Sequence, residues 1–163
     1  MEHMWAPWRM AYIAGDEEKT EGCIFCVFPQ KEDDRRYLIV YRSKHCFVIL
    51  NKFPYNNGHI MVVPYRHTHD LLELTSPEQQ DCQQTINRAI RALRGVYKPD
   101  AINLGMNMGR AAGAGIDAHI HYHLVPRWNG DTNFMPVIAG TKVISESLEQ
   151  SWKLLSDAMR EMD

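Results

Sequence analysis

No stretch of this 163-residue chain is apolar for the roughly 20 consecutive residues that a membrane helix needs, so a transmembrane role is not expected. The opening MEHMWAPWRM has no continuous apolar segment of the kind a secretory signal carries. Export is therefore not expected, and the cytoplasm is the expected location. A dominant charge is missing as well. The 18 Lys and Arg nearly balance the 20 Asp and Glu, for a formal net charge of -2, which gives no general attraction to nucleic acid or to a membrane surface. Cysteine is scarce. Cys23, Cys26, Cys46 and Cys82 are the only four, and in a reducing compartment they are not expected to form a disulfide framework. No internal repeat and no low-complexity tract occurs, which excludes a repeat architecture.

What remains is ordinary for a globular chain, with 45% hydrophobic and 23% charged residues. The length suits one domain with a real core, residues 1–163. Residues 1–20, with Trp5, Trp8 and Tyr12 around Pro7 and then GDEEK, read as an N-terminal arm and an exposed connection. Three strand-like runs follow, RYLIVYR (36–42), HCFVILN (45–51) and HIMVVP (59–64), with turn residues between them, as in an antiparallel meander. A helix is expected next, with Ser76 as N-cap, Pro77 at the first helical position and Gln79 completing a capping box. Cys82, Ile86, Ile90 and Leu93 keep helical spacing, and Gly95 is the expected stop. DAINLGMNMG reads as a strand running into a loop. A last helix within 143–163 places Leu148, Trp152, Leu155 and Met159 on one face. Strands, helix, strands and helix in that order make an α+β fold.

One stretch stands apart, HIHYHLV from His119 to Val125. Three of only eight histidines occupy alternate positions of an apolar run rich in β-branched and aromatic residues and stopped by Pro126. On a strand, alternate side chains share a face, so His119, His121 and His123 would line one side while Ile120, Tyr122 and Leu124 face a core. On a helix the same imidazoles would scatter. A solvated face would more often carry Lys, Glu or Thr.

Two further signals are ambiguous alone. CIFC pairs Cys23 with Cys26, a spacing shared by redox motifs, metal sites and chance. Charged residues precede it where a redox motif expects a strand. Zinc asks for two more ligands in tetrahedral array, and PYRHTH offers His67 and His69 beside the histidine row. Two merely buried cysteines are an equal alternative. The loop NMGRAAGAGIDA holds Gly109, Gly113 and Gly115, which allow close approach of backbone N–H groups to an anion. No Walker motif is present, because no Gly-Lys-Ser/Thr follows and a strand comes next. Beside a row of imidazoles this loop becomes a candidate phosphate cradle. Neutral imidazole is a good nucleophile toward phosphorus, and its phosphoramidate product is labile.

HIHYHLV matches the histidine triad pattern, His-φ-His-φ-His-φ-φ with φ apolar. Together with FVILNKFPYNNGHIMVVPYRH, CIFC and NMG…GAGI, it makes the chain resemble the histidine triad (HIT) family. MWAPWRMAYI and VPRWNGDTNFMPV are most similar to its bacterial diadenosine tetraphosphate phosphorylase and hydrolase group. The resemblance implies an antiparallel sheet of about five strands with two main helices, in a homodimer. It implies transfer of a nucleoside monophosphate, AMP above all, from a dinucleoside polyphosphate to His121, with water or inorganic phosphate as acceptor.

The resemblance also assigns residues. His123 and His59 support the nucleophile, and Asn51 binds the ribose hydroxyls. Asn107 and the backbone of Gly113, Ala114, Gly115 and Ile116 form the phosphate loop. In zinc-containing members the ligands correspond to Cys23, Cys26, His67 and His119, with His69 the alternative to His67. Many members carry Gln or Ser where this chain has Ala114 and Gly115, which leaves main-chain N–H groups as the donors. Rival readings are an adenosine phosphoramidase and a nucleotide-binding module without turnover. A zinc-dependent hydrolase is a third, but it would need an open coordination position that two Cys and two His leave closed.

Overall fold

The computed structural model describes residues 21–131 and 144–162. The expected N-terminal arm, residues 1–20, lies outside them. So do residues 132–143, whose first six end the VPRWNGDTNFMPV resemblance, and Asp163.

Five strands form one antiparallel sheet, β1 (Ile39–Arg42), β2 (Cys46–Leu50), β3 (Ile60–Pro64), β4 (Ala101–Met106) and β5 (Tyr122–Arg127). The order across it is β1-β2-β3-β5-β4. The expected meander holds for β1 to β3. The last two strands then enter in reversed order, so the histidine strand is internal and β4 forms the edge. The helices are α1 (Ile24–Val27), α2 (Ser76–Tyr97) and α3 (Leu148–Arg160), with short 3-10 turns at Phe28–Gln30, Leu71–Glu73 and Arg110–Ala112. The short α1 joins the two expected helices. No helix among the described residues is long and apolar enough to cross a membrane.

The pleat of the sheet divides its apolar residues between two faces. Val40, Val48, Leu50, Ile60, Val62 and Leu124 pack against Cys82, Ile86, Ala89 and Leu93 of α2 and Leu155 and Met159 of α3. On the other face Ile39, Phe47, Ile49, Met61 and Val63 gather around Phe25 of α1. Register aligns Ile39, Ile49, Met61, His123 and Gly105 in one row across all five strands of this second face. His123 thus stands directly beside the apolar cluster under α1. Cys46 and Cys82 are buried thiols on the helical side.

The N-terminus of α2 differs from expectation by one residue. Thr75 is the N-cap, and the capping box closes with Glu78, whose carboxylate accepts from the Thr75 N–H at 2.8 Å. Gln79 instead donates to the Leu74 carbonyl. The helix also runs through Gly95 to Tyr97 and ends on Lys98 in the left-handed conformation, its N–H on the Arg94 carbonyl. Packing of α2 on the sheet and α3 outweighs the modest cost of a mid-helix glycine.

Extending the helix to Tyr97 has a consequence for the site. The Tyr97 ring lies against Gly58, the residue before His59, and its hydroxyl donates to Glu146. Gly58 has φ +71°, and a Cβ there would stand 2.6 Å from Tyr97 Cε2. Gly58→Ala should therefore combine left-handed backbone strain with overpacking, each costing about 1–3 kcal/mol. At about 2–4 °C per kcal/mol for a chain of this size, a melting temperature lower by roughly 4–20 °C is expected. An unchanged melting curve would show that the Tyr97 ring yields freely.

Candidate active site and Cys2His2 cluster

β5 begins at Tyr122, so His119 and His121 lie on the extended segment leading into it, pinned by the Ile120 N–H on the Thr68 carbonyl at 2.8 Å. His119 is fully buried, His121 is 4% exposed and His123 is half-buried. The three imidazoles do not act as one row. They divide between two clusters.

His121 and His123 face each other with ring centroids 4.7 Å apart. His121 Nδ1 donates to the carbonyl of His119 at 2.9 Å. The proton is thereby fixed on Nδ1, and Nε2 is left with a free lone pair. Burial against Phe25, 5.0 Å between centroids, disfavours the imidazolium and pushes the His121 pKa down, with the hydrogen bond to His119 acting in the opposite sense. The ring is a buried neutral base with its lone pair on Nε2.

A second chain of hydrogen bonds settles His123. The backbone N–H of Tyr55 donates to His59 Nδ1 at 3.0 Å, so that nitrogen is an acceptor and the proton sits on Nε2. His59 Nε2 in turn donates to His123 Nδ1 at 2.9 Å. His123 must then carry its own proton on Nε2, a donor next to the lone pair of His121. Burial, aided by the nearby His121, pushes its pKa down to about 4, so it donates as a neutral group.

Asn51 lies beside this chain. Its Oδ1 accepts from the Phe53 N–H at 2.9 Å, which is a turn-forming contact, and its Nδ2 is 3.4 Å from His59 Nδ1. Asn107 follows the end of β4, where Gly113 packs near its side-chain nitrogen. In the glycine loop, the Gly113 N–H is taken by the Arg110 carbonyl at 2.9 Å and that of Ala114 reaches the Gly109 carbonyl at 3.4 Å. Of the four backbone donors expected to face a phosphate, two are thus engaged in the turn. Those of Gly115 and Ile116 have no hydrogen-bond partner among the described residues. An Arg110–Asp117 ion pair at 2.8 Å clips the loop, and Ile116 packs into the α1 cluster.

The second cluster lies on the far side of His119. Cys23, Cys26, His67 and His119 bring one donor atom each within 4.8 Å of one another. His119 Nδ1 lies 3.4 Å from Cys23 Sγ, 3.6 Å from Cys26 Sγ and 3.3 Å from His67 Nδ1, while Cys26 Sγ and His67 Nδ1 are 3.2 Å apart. A tetrahedron with metal–sulfur bonds of about 2.3 Å and metal–nitrogen bonds of about 2.0–2.1 Å has edges of roughly 3.3–3.8 Å. The donor set fits. His119 Nε2 donates to the Pro64 carbonyl at 2.8 Å, which leaves Nδ1 as a bare lone pair pointing into the cluster. Burial pushes the His119 pKa down, and burial with the neighbouring Cys23 pushes the Cys26 thiol up. His69 is not among these donors and lines a neighbouring cleft with His67, Thr68, Glu73 and Asp117.

CIFC was recognisable as a pair, but no residue pattern signalled that Cys23 would precede a short helix or that Phe25 between the cysteines would lie against the His121 ring. The Pro64 carbonyl and Tyr55 were equally illegible. A backbone acceptor leaves no side-chain signature, and Tyr55 sits in a turn without periodicity.

A family model described as HIT domain matches residues 32–130. The chain is 38% identical over 163 residues to the AP-4-A phosphorylase of Mycobacterium tuberculosis, covering 96% of this chain and 83% of that protein. It is 36% identical over 91 residues to the bis(5'-adenosyl)-triphosphatase of Saccharomyces cerevisiae, covering 55% of this chain and 44% of that protein. Among solved structures, a Zn-bound histidine triad family protein from Mycobacterium smegmatis superposes with a TM-score of 0.69 at 28% identity, over 87% of this chain and 96% of that one. With the expected five-stranded antiparallel α+β sheet and the triad segment in place, the chain belongs to the HIT domain family.

Proposed function

We propose that this protein cleaves diadenosine polyphosphates at the α-phosphate through a covalent nucleotidyl-His121 intermediate, with inorganic phosphate as the second acceptor. The observation that carries the reading is the fixed tautomer of His121, whose Nδ1 is held by the His119 carbonyl. Its Nε2 lone pair forms the P–N bond as the P–O bond to the leaving nucleotide breaks. His123, protonated on Nε2 through the relay from Tyr55 and His59, donates to a phosphate oxygen as charge develops. The N–H groups of Gly115 and Ile116, with the Asn107 side chain, supply further donors. Asn51 keeps a second lone pair on Oδ1 beyond its turn contact, and we assign it to the ribose hydroxyls. Phosphate is preferred as acceptor because the M. tuberculosis phosphorylase aligns along nearly the whole chain, whereas the yeast triphosphatase aligns along about half.

Incubation with diadenosine tetraphosphate tests this directly. ADP and ATP should appear only when phosphate is present. AMP and ATP without phosphate would make water the acceptor, and inertness under both conditions would sink the cleavage reading. His121→Ala should lose turnover by about 10³-fold or more while still folding and binding nucleotide. A variant with near-normal kcat would exclude the covalent route.

We assign structural zinc to the Cys2His2 cluster, supported by its donor spacings and by the Zn-bound M. smegmatis relative. The bound ion would supply a rigid four-fold link and no open coordination position. Its ligands tie α1 to the segment after β3 and to the segment entering β5, and His119 is both a ligand and the residue whose carbonyl orients His121. About one zinc per chain is expected by elemental analysis, with loss in Cys23→Ser or Cys26→Ser. Those variants should melt earlier and lose activity although His121 is intact. Metal-free protein with unchanged melting and activity would reduce Cys23 and Cys26 to ordinary part-buried thiols.

We further propose a homodimer formed along β4, which ends the sheet with its outer edge unpaired among the described residues and leaves Leu104 49% exposed. Light scattering should give twice 18.9 kDa, and Leu104→Lys should shift it toward monomer. A monomeric wild type at micromolar concentration would refute it. The four free thiols fit a reducing, cytoplasmic setting.

A further inference from the structure

The face of the sheet that carries the site is covered on one side only. Phe25 and its cluster close the half over β1 to β3. Among the described residues nothing covers the half over β5 and β4, where Asn103, Gly105 and Arg127 are exposed. There a groove of roughly 330 Å³ extends from His123, lined by Tyr55, Asn103, Gly105, Asn107 and Arg127, and bordered by Leu104 on the edge assigned to the dimer. That volume falls within the range of small-molecule sites.

Two features of this groove are unused by chemistry at His121. Tyr55 is 54% exposed, although its ring lies at 25° to that of His123, with centroids 6.0 Å apart, and 4.6 Å from His59. One side of the ring rests on the histidine pair and much of the rest faces solvent. Gly105 stands opposite His123 in register, in ordinary strand conformation, and a Cβ there would meet nothing within 4 Å. Neither backbone geometry nor crowding requires glycine at that point. The missing side chain keeps the groove floor clear. At the far end, Arg127 is held by the Asp131 carboxylate at 2.7 and 3.0 Å and by Asn103 Oδ1 at 3.0 Å.

A phosphorus held at His121 has the closed apolar half on one side and this groove on the other. We propose that the groove receives the leaving half of the dinucleotide, with Tyr55 as the platform on which its base stacks and Asn103, Asn107 and Arg127 facing its polyphosphate. The proposal rests on His121 as the point of cleavage. It makes Tyr55 a specificity residue for leaving groups that carry an aromatic base.

Binding to full-length His121→Ala protein separates this from catalysis. The probes are diadenosine tetraphosphate and adenosine 5'-tetraphosphate, which has the same phosphate chain and no second base. Adding Tyr55→Leu should lower the affinity ratio between the two about tenfold, the size of one base–aromatic stack. Tyr55→Phe should keep the ratio. Gly105→Val, which puts a side chain on the groove floor and favours a strand, should lower affinity for the dinucleotide more than for the tetraphosphate. An unchanged ratio in Tyr55→Leu would make Tyr55 only a support for His59 and His123 and would overturn the proposal. Because affinity is read, this outcome stands apart from any failure to cleave.

Discussion

The hydrogen bond from His121 Nδ1 to the carbonyl of His119 sets the chemistry of the whole site. An imidazole has two nitrogens and, when neutral, one proton. Tying the proton to a backbone acceptor decides what the other nitrogen can do. The same logic extends outward on both sides. The Tyr55 N–H makes His59 Nδ1 an acceptor, and His59 then makes His123 a donor at Nε2. The Pro64 carbonyl takes the proton of His119 and turns its Nδ1 toward two sulfurs and His67. Four histidines of one residue type thus hold three different roles, each fixed by the partner of the opposite ring nitrogen.

Burial makes that arrangement hold. The α1 cluster puts Phe25 against both His119 and His121 and keeps water away from them, so burial pushes both pKa values down. Desolvation would be costly for an imidazolium and is cheap for a neutral ring. The Cys2His2 cluster bears on the same point, because it joins α1 to the chain entering β5 through His119 itself. The geometry of the cluster and the orientation of His121 therefore meet in one residue, His119. Away from this closed half the sheet face turns polar at β4 and β5 and is left uncovered by the described residues. The contrast between the halves gives the site a direction.

Much of the framework was legible in the sequence. Short apolar runs between turn residues marked β1, β2 and β3, of which β2 and β3 are buried at every position, and alternation marked the triad segment, whose strand begins at Tyr122. Helical spacing marked α2 and α3. Where local rules competed with packing, packing won. Gly95 did not stop α2, which continues to place Tyr97 on Gly58. The cap moved from Ser76 to Thr75, one residue earlier, because Glu78 rather than Gln79 reaches back to it. The glycine loop spends part of its expected backbone donors on its own turn, where the Arg110 and Gly109 carbonyls accept from Gly113 and Ala114.

Residue types and spacing alone determined that three imidazoles would lie near one another on an extended segment, that two cysteines would form a pair, and that a flexible glycine loop would precede them. These are local properties, and covalent geometry enforces them. The sequence left open whether His67 or His69 would reach the cysteines, and it could not show that the triad would split between two clusters. Nor could it show which nitrogen of each ring would carry the proton. Those outcomes depend on carbonyls and aromatic faces brought together from distant segments, Pro64 beside His119, Tyr55 beside His59 and Phe25 beside His121. A backbone acceptor is identical in every residue and gains meaning only from its position. Tertiary structure decided the protons.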